Sequence, residues 1–453
     1  MTIRMIKIFV FLYQGIICYD EDPKRGKMKT KSSKNDLTHE DILRFRKIES
    51  VFLSRCKHFG YKEIKTSTVE PLYIFTALGA LRDDKLNRIY SFIDWDGWSG
   101  ERVALKPDST TCVARYYGDH LRSENPRQKL CYVENHFEWA DDWDKISERW
   151  QCGVENIGSA GPDSDIEVIY MALDILKNAD LKQFWLYLSY PSIIRRMVRG
   201  MGLYESRQKE LLEAIRKRED VGDMIRKLAV EPEKGRELNA FLQTPEEIPE
   251  YSANYLENLK YSLTKDTYDQ IAPYLENFIC ICKSLDNLKC KYVIDFSLLG
   301  DLEYYTGIKF QFLSSQVRKS RKEILCSGGR YDSLIKLMWE ISEPVPAVGF
   351  ALFARNMIPS IPAITDKLQN ICIYIGNITK GNVEKGQYLC DKLSDLGFSA
   401  RISFAQIKPE DYDDYGLVIE VDHDSYEDGY QILSSQKIGK PLLMNLFGEF
   451  NGL

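Results

Sequence analysis

The order of strand-like and helix-like segments limits the possible folds of this chain more than any other feature. Short segments rich in β-branched and aromatic residues follow one another, and helical patterns interrupt them at irregular intervals. Parallel strands need a long crossover between them, whereas antiparallel strands need only a turn. The sequence therefore predicts an α+β fold, in which a mostly antiparallel sheet is flanked by helices.

Local patterns place the first elements. A helix is expected from Thr38 to Phe59, because Thr38 is a candidate N-cap with Asp41 three residues later and apolar residues recur at helical spacing. Strands are expected in IYSFIDWDG, ERVALKP, KLCYVENHFEW and ISERWQCGVENIG. A long helix is expected in GPDSDIEVIYMALDILKNAD.

The chain is expected to contain an extension and two domains. Residues 1–27 hold an apolar run of 14 residues, too short to span a bilayer comfortably. They are interpreted as an extension upstream of Met28 or as the result of a misplaced start, and a targeting segment is the alternative. Residues 28–362 form the predicted core, including a charged helical insertion at about 205–290. Residues 370–453 alternate strands with a helix and predict a small α/β domain.

Charge and cysteine content exclude some functions. The net charge is −6, and residues 369–453 hold thirteen Asp and Glu against seven Lys and Arg. Binding of tRNA needs neutralised phosphates, so the sequence argues against tRNA as a partner. Eleven scattered cysteines favour a reducing compartment, and the cytoplasm is expected.

One cysteine group invites a metal-site hypothesis. Cys280, Cys282 and Cys290 lie close together in FICICKSLDNLKC. A four-ligand zinc site would need a second Cys or His pair, and none follows. The preferred interpretation is buried thiols on an apolar helix, and neither a metal nor another cofactor is expected.

Five motifs occur in a fixed order between Leu37 and Met357: GYKEIKTSTVEPLYIF, LKPDSTTCVARYY, QCGVENIGSAGPDSDIEVI, LGDLEYYTGIKF, and CSGGRYDSLI followed by PAVGFAL. Together they resemble the class II aminoacyl-tRNA synthetases of the histidyl type. The resemblance implies the class II antiparallel sheet. It also implies a homodimer that forms through the first motif, around Tyr61–Ala80.

The same comparison shows where the chain departs from these synthetases. The family holds the α-phosphate with an arginine where this chain has Glu138, and the γ-phosphate with an arginine where it has Asn356. A third family arginine corresponds to Gly300, and Phe353 replaces a glycine near ATP. Arginine suits oxyanions because its planar fork binds them bidentately. At ~4 Å and an effective dielectric near 20, a unit charge pair is worth ~4 kcal/mol. ATP-dependent activation of an amino acid is therefore not expected.

Residues on the amino-acid side of the family's pocket are retained. Singly, each is more simply an ordinary polar group of a sheet; as a spaced set they predict a pocket for histidine or an analogue, with acceptors for an ammonium group and an imidazole. The predicted pocket residues are Asp108, Thr110, Gln151, Glu155, Tyr304, Tyr305, Gly328, Gly329, Arg330 and Tyr331.

A synthetase-like body without these arginines resembles the regulatory subunits of ATP phosphoribosyltransferase. The resemblance implies a non-catalytic protein that activates a short-form catalytic subunit in the first step of histidine biosynthesis and senses histidine. Two alternatives remain open. The chain is a divergent histidyl-tRNA synthetase, or it is a synthetase-like enzyme that acts on another amine or acceptor.

Overall fold

The computed structural model describes residues 36–76, 86–95, 100–139, 148–243, 252–300, 305–318, 321–363, 371–395, 398–422 and 430–434. The chain divides into two compact units between Pro362 and Ala363. Residues 1–27 and the strand expected in KPLLMNL lie outside the described residues, so these two predictions stay predictions. Within the described residues, no helix is both long and apolar enough to cross a bilayer.

Three sheets hold the described strands. The strands are β1 (Lys62–Glu63), β2 (Val69–Pro71), β3 (Ser91–Trp95), β4 (Gly100–Leu105), β5 (Gln128–Phe137), β6 (Glu148–Ile157), β7 (Phe184–Ser189), β8 (Tyr292–Ile294), β9 (Lys309–Arg318), β10 (Arg321–Arg330), β11 (Ala347–Phe353), β12 (Ile371–Ile375), β13 (Ala400–Ser403), β14 (Leu417–Val421) and β15 (Tyr430–Ser434). The main sheet has the order β1-β5-β6-β11-β10-β9-β7-β8, and a small one has the order β2-β4-β3. In the main sheet the two outermost pairings are parallel and the inner ones antiparallel. The predicted α+β class with a mostly antiparallel sheet is confirmed.

The described helices belong to both compact units. They are α1 (His39–His58), α2 (Tyr73–Thr76), α3 (Ser109–Tyr116), α4 (Pro162–Asn178), α5 (Pro191–Gly200), α6 (Glu205–Lys217), α7 (Val221–Lys227), α8 (Pro232–Leu242), α9 (Ser252–Leu259), α10 (Lys265–Asn287), α11 (Ser333–Trp339), α12 (Ala354–Met357) and α13 (Lys380–Asp395). Helices α6 to α10 correspond to the predicted helical insertion. A π-helical turn, Tyr117–Leu121, continues α3.

Helix α1 begins as its sequence predicts. Thr38 and Asp41 form a capping box, in which each side chain accepts a hydrogen bond from the other residue's backbone N–H. Such a box satisfies two of the amide groups that a helix start leaves unpaired. Phe45, Ile48 and Phe52 on one face of α1 are fully or almost fully buried, so the helical period of the sequence corresponds to the buried face.

The two faces of the main sheet are packed differently. Phe310 and Phe312 on β9 belong to the large hydrophobic core, which also contains the buried faces of α1, α4 and α10. On the opposite face, Val113 of α3, Tyr132 of β5 and Leu334 of α11 form a smaller cluster. Polar side chains share this second face, and it carries the candidate site described below.

The second unit is a small α/β domain. Its sheet has the order β13-β12-β14-β15, in which β12 pairs in parallel with both β13 and β14. Leu389 and Leu393 of α13 pack on Ile371 and Ile373 of β12. The strands predicted in ICIYIG, SARISF and YGLVIEVD and the predicted helix are present as β12, β13, β14 and α13, and β15 is a further strand that pairs antiparallel with β14.

The prediction of buried thiols is confirmed for Cys282 and wrong for Cys280. Cys282 is buried on α10, as expected, but Cys280 is exposed because it lies on the outward side of the same helix. Cys290 follows the helix and is partly buried.

Candidate functional site

One row of paired residues crosses the second face of the main sheet. Glu155 of β6 lies opposite Gly349 of β11, which lies opposite Gly329 of β10, which lies opposite Lys309 of β9. Laterally paired residues in a sheet point to the same side. The two glycines therefore leave room above β10 and β11 for the side chains of other residues.

Glu155 is the best-defined polar group of this row. It is 1% exposed, the Thr110 hydroxyl donates to its Oε1 at 2.8 Å, and the Tyr331 hydroxyl donates to its Oε2. Burial raises the pKa of Glu155 to about 8, against the opposing effect of these two hydrogen bonds. A cationic group beside Glu155 would favour its ionised form.

Gly349 is needed for this arrangement. A Cβ atom at position 349 would lie 1.9 Å from Oε2 of Glu155. The carboxyl group therefore lies over β11, in space that only a glycine leaves open. The structure brings together three of the predicted pocket residues at this point, namely Thr110, Glu155 and Tyr331.

Asp108 has a structural role that the sequence analysis missed. It is the N-cap of α3, and its carboxylate accepts from the backbone N–H groups of Thr110 and Thr111, each at 3.1 Å. The Thr111 hydroxyl donates to the same carboxylate at 2.8 Å. Asp108 thus fixes the helix start that presents Thr110 to Glu155.

Tyr305 covers the middle of the row. A Cβ atom on Gly329 would lie 2.7 Å from the Tyr305 ring, so the ring rests directly on this glycine. Tyr305 is 8% exposed, and its backbone oxygen accepts from Arg195 at 2.8 Å. Tyr304 lies outside the described residues.

Gly328 and Arg330 face away from this row. A Cβ atom on Gly328 would collide with Phe310 on the core side of the sheet. Arg330 is buried, pairs with Asp165 at 2.8 Å and Asp332 at 3.0 Å, and donates to the Ser164 hydroxyl at 2.7 Å. These contacts join the end of β10 to the start of α4, so both residues serve the scaffold beneath the row.

Gln151 lies on the same strand and face as Glu155 but four residues away, or roughly 13 Å along β6. It pairs laterally with Glu134 and Phe353. The structure therefore does not bring Gln151 next to the Glu155 carboxyl group.

Two residues that the sequence analysis did not select also face the site. Tyr132 of β5 is fully buried across Gly153. Lys309 is 2% exposed and donates to the Ser327 hydroxyl at 2.7 Å. The sequence signal that could have identified Lys309 is its position as a charged residue within the apolar strand GIKFQFL.

Two side chains at the positions of the family's arginines form other contacts. Glu138 pairs with Arg88 at 3.2 Å and with Arg149 at 3.4 Å. The Asn356 amide donates to the Ile324 backbone oxygen at 2.8 Å, which joins α12 to β10. Neither side chain therefore resembles the phosphate-binding cation of the family.

Gly300 adopts a backbone conformation that resists replacement by arginine. Its φ is +83°, and an added Cβ atom would lie 3.0 Å from the Tyr305 ring. Positive φ favours glycine. A cavity of about 250 Å³ borders Gly300, Gln311 and Arg218.

A buried ionic network supports the neighbouring part of the sheet. Lys106 and Glu134 form an ion pair at 2.6 Å, and the Ser109 hydroxyl lies 2.5 Å from Glu134 and 2.7 Å from Nε2 of His136. Burial, followed by the charges of Lys106 and Arg149, lowers the pKa of His136 to about 3. The network fixes the start of α3 on β5.

Known proteins resemble this chain over most of its length. Residues 34–357 match the sequence profile of the histidyl-tRNA synthetase family. An ATP phosphoribosyltransferase regulatory subunit from Dehalococcoides mccartyi is 34% identical over 398 residues, covering 87% of this chain and 91% of the relative. A histidine–tRNA ligase from Methanocaldococcus jannaschii is 26% identical over 372 residues, covering 80% of this chain and 82% of the relative.

Solved structures show the same fold. An ATP phosphoribosyltransferase regulatory subunit/histidyl-tRNA synthetase from Bacillus halodurans has a TM-score of 0.71 at 19% identity, covering 89% of this chain and 99% of the other. A histidyl-tRNA synthetase from a Nostoc species has a TM-score of 0.68 at 16% identity, covering 94% and 100%. The antiparallel sheet with flanking helices is thus the histidyl-type class II fold.

Proposed function

Because this chain belongs to the histidyl-tRNA synthetase family and, within it, to the ATP phosphoribosyltransferase regulatory subunits, we propose that it activates a short-form catalytic subunit without catalysing a reaction itself. Its relatives assign it a regulatory role in histidine biosynthesis. We propose that its partner is the short-form subunit, that it has no catalytic activity of its own, and that it is cytoplasmic.

The observation that carries the proposal is that position 138 holds a glutamate where the family has an arginine. A carboxylate replaces the cation that would hold the α-phosphate, and Arg88 and Arg149 already pair with it. An approaching phosphate would have to compete with Glu138 for both arginines. Asn356 adds to this argument, because its amide is bound to the backbone of β10.

Isotope exchange between pyrophosphate and ATP tests this part of the proposal. We expect histidine to drive no exchange above a control without protein. Exchange that depends on histidine would instead support the divergent histidyl-tRNA synthetase. Arg88 and Arg149 favour that second candidate, because they place two cations beside the position of the lost arginine.

We further propose that the pocket around Glu155 binds histidine. Its carboxyl group, the Thr110 hydroxyl and the Tyr331 hydroxyl offer acceptors for an ammonium or imidazole N–H group. If the pocket is a sensor, its occupancy is coupled to the activity of the partner. Such couplings are typically ~1–3 kcal/mol and are reciprocal.

A homodimer through the first motif is also proposed. Tyr73, Ile93 and Trp95 are 61%, 62% and 68% exposed on α2 and β3, close to that motif in the sequence or in the small sheet. Exposed aromatic and aliphatic side chains of this size favour burial in an interface. Residues 77–80 of the predicted region lie outside the described residues.

Co-purification tests the proposed partner. The full chain, carrying an affinity tag, is mixed with the short-form catalytic subunit of the same organism. We expect the two proteins to elute together, and separate elution at micromolar concentration would contradict the proposal.

A further inference from the structure

A polar cavity lies on the second face of the main sheet, near the edge that β7 and β8 form. Its volume is about 250 Å³. Tyr187 of β7 and Gln311 and Leu313 of β9 form its floor, and Tyr187 pairs laterally with Gln311. Gln311 follows Lys309 by two residues in the same strand, so it faces the same side of the sheet as Glu155 does.

The walls of this cavity come from two segments outside the sheet. The end of α6 contributes Arg216 and Arg218, and the segment after β8 contributes Asp295 and Ser297. A cavity of ~150 Å³ can hold a benzene ring. The cavity beside β7 therefore has room for a ring that carries a polar or charged substituent.

Arg218 combines a disfavoured backbone conformation with a fixed side chain. It is the C-cap of α6, with φ +58° and ψ 37°, a left-handed conformation in which glycine is preferred. Its Nη2 donates to Asp295 at 2.5 Å, and its Nε donates to the Ser297 hydroxyl at 3.1 Å. The guanidinium is thus oriented before a ligand arrives, which lowers the entropy that binding would cost.

The Arg218 guanidinium also has donors left for a ligand. A guanidinium carries five N–H donors. Among the described residues, Arg218 donates only through Nε and Nη2. Its side chain is 61% exposed, so a ligand that enters the cavity from solvent can reach the remaining N–H groups.

The ion pairs beside the cavity favour an anion. Glu213 pairs with both Arg216 and Lys217. Asp295 pairs with Arg218. Three cations thus share two carboxylates, which leaves one positive charge within this group of ion pairs. Arginine binds carboxylates and phosphates through two parallel hydrogen bonds.

We propose that this cavity binds a small organic anion, either a carboxylate or a phosphate ester that carries a ring or a short apolar part. The acidic group binds the guanidinium of Arg218, and the apolar part lies on Tyr187 and Leu313. The Tyr305 ring rests on Gly329, between this cavity and Glu155. The site is therefore separate from the proposed histidine pocket.

Ligand-observed NMR on the full chain tests the inference with three probes that share one ring. Phenyl phosphate and benzoate carry the two candidate acidic groups, and benzyl alcohol carries no charge. We expect at least one of the two anions to bind with a Kd below ~1 mM. It should bind ~10- to 100-fold more tightly than benzyl alcohol, as a charged hydrogen bond implies. A preference between the two anions identifies the acidic group.

Two arginine variants locate the binding site. Arg218→Gly removes the guanidinium and should fold, because glycine suits the left-handed position. It should bind the preferred anion ~10-fold more weakly or worse. Arg226→Met changes an exposed arginine of α7 that does not line the cavity, and it should bind the anion as wild type does. Excess histidine should not displace the probe, because the two sites are separate.

The absence of saturable binding of either anion by wild type would overturn the proposal. Equal affinity for the anions and benzyl alcohol would do so too, and this comparison decides the question even if Arg218→Gly fails to fold. Unchanged anion binding by a folded Arg218→Gly variant, or displacement of the probe by histidine, would overturn the separate site. None of these results bears on activation of the catalytic subunit, so the proposed function is tested independently.

Discussion

At the scale of single residues, the candidate site differs from its surroundings by buried charge. Glu155 and Lys309 are almost completely buried, yet both lie on the thinly covered face of the sheet. Gly349 leaves room for the Glu155 carboxyl group, and Gly329 leaves room for the Tyr305 ring. These residues are packed as a core is, but their chemistry is that of a binding site.

The raised pKa of Glu155 makes the stability of the protein depend on pH. Its pKa is about 8 in the folded state against an ordinary value of 4.5, so the folded chain holds a proton that the unfolded chain releases. Stability from this group is present below about pH 4.5 and is lost as pH rises to 8. Between pH 5.5 and 8 the loss is ~3 kcal/mol at most.

Denaturant unfolding at pH 5.5 and pH 8 checks this expectation. Glu155→Gln should unfold with a smaller decrease in free energy over that range than wild type does. His136, whose pKa is lowered to about 3, acts in the opposite direction between pH 3 and 6.5, and it cancels because both proteins contain it. Identical pH profiles of the two proteins would contradict a raised pKa of Glu155.

Ligand binding should report the same ionisation. At pH 7 most Glu155 carboxyl groups are protonated, and an ammonium group beside them favours the charged form. We therefore expect histidine binding to release protons, which calorimetry detects as a binding enthalpy that varies with the ionisation enthalpy of the buffer. Glu155→Gln should reduce this variation, and an equal variation in both proteins would exclude Glu155 as the source.

At the scale of elements, the start of α3 connects the helix cap to the pocket. Asp108 caps the helix through two backbone N–H groups, and Thr110 in the first turn reaches Glu155. A change at the cap therefore alters both the helix and the position of a pocket hydroxyl.

Two substitutions at Asp108 separate these roles. Asp108→Ala should lower the free energy of unfolding by ~1 kcal/mol, the usual effect of losing an N-cap, whereas asparagine caps as well as aspartate does. Asp108→Asn should therefore unfold like wild type, and weaker histidine binding by this variant would assign the carboxylate a direct ligand contact. Equal stability of the alanine and wild-type proteins would show that the cap contributes little.

Helices and strands could be predicted from the sequence where the residues that determine them are close together in the chain. The capping box of α1 and the paired strands β3 and β4 follow from residues close together in the sequence. The row from Glu155 to Lys309 was not predictable, because it depends on the register of four strands that are far apart in the chain. The family resemblance selected Glu155 but not Lys309.

At the scale of the whole molecule, the proposed regulatory protein forms a homodimer. Ile93 and Trp95 lie on one side of β3, and both are more than half exposed. We expect Ile93→Asp to shift a dimer toward monomer, because a charge in a closely packed apolar interface is costly. Sedimentation at several concentrations measures the effect. Leu337→Asp, at a half-exposed position of α11, is the control, and a wild type that stays monomeric would contradict the proposal.

The central claim is that a synthetase-like body regulates another enzyme. The most direct measurement is the rate of phosphoribosyl transfer by the short-form catalytic subunit, recorded with and without this chain. We expect the chain to raise the rate severalfold or more, and we expect added histidine to reverse the increase in wild type but less so in Glu155→Gln. A catalytic subunit that turns over equally fast with and without this chain would contradict the account.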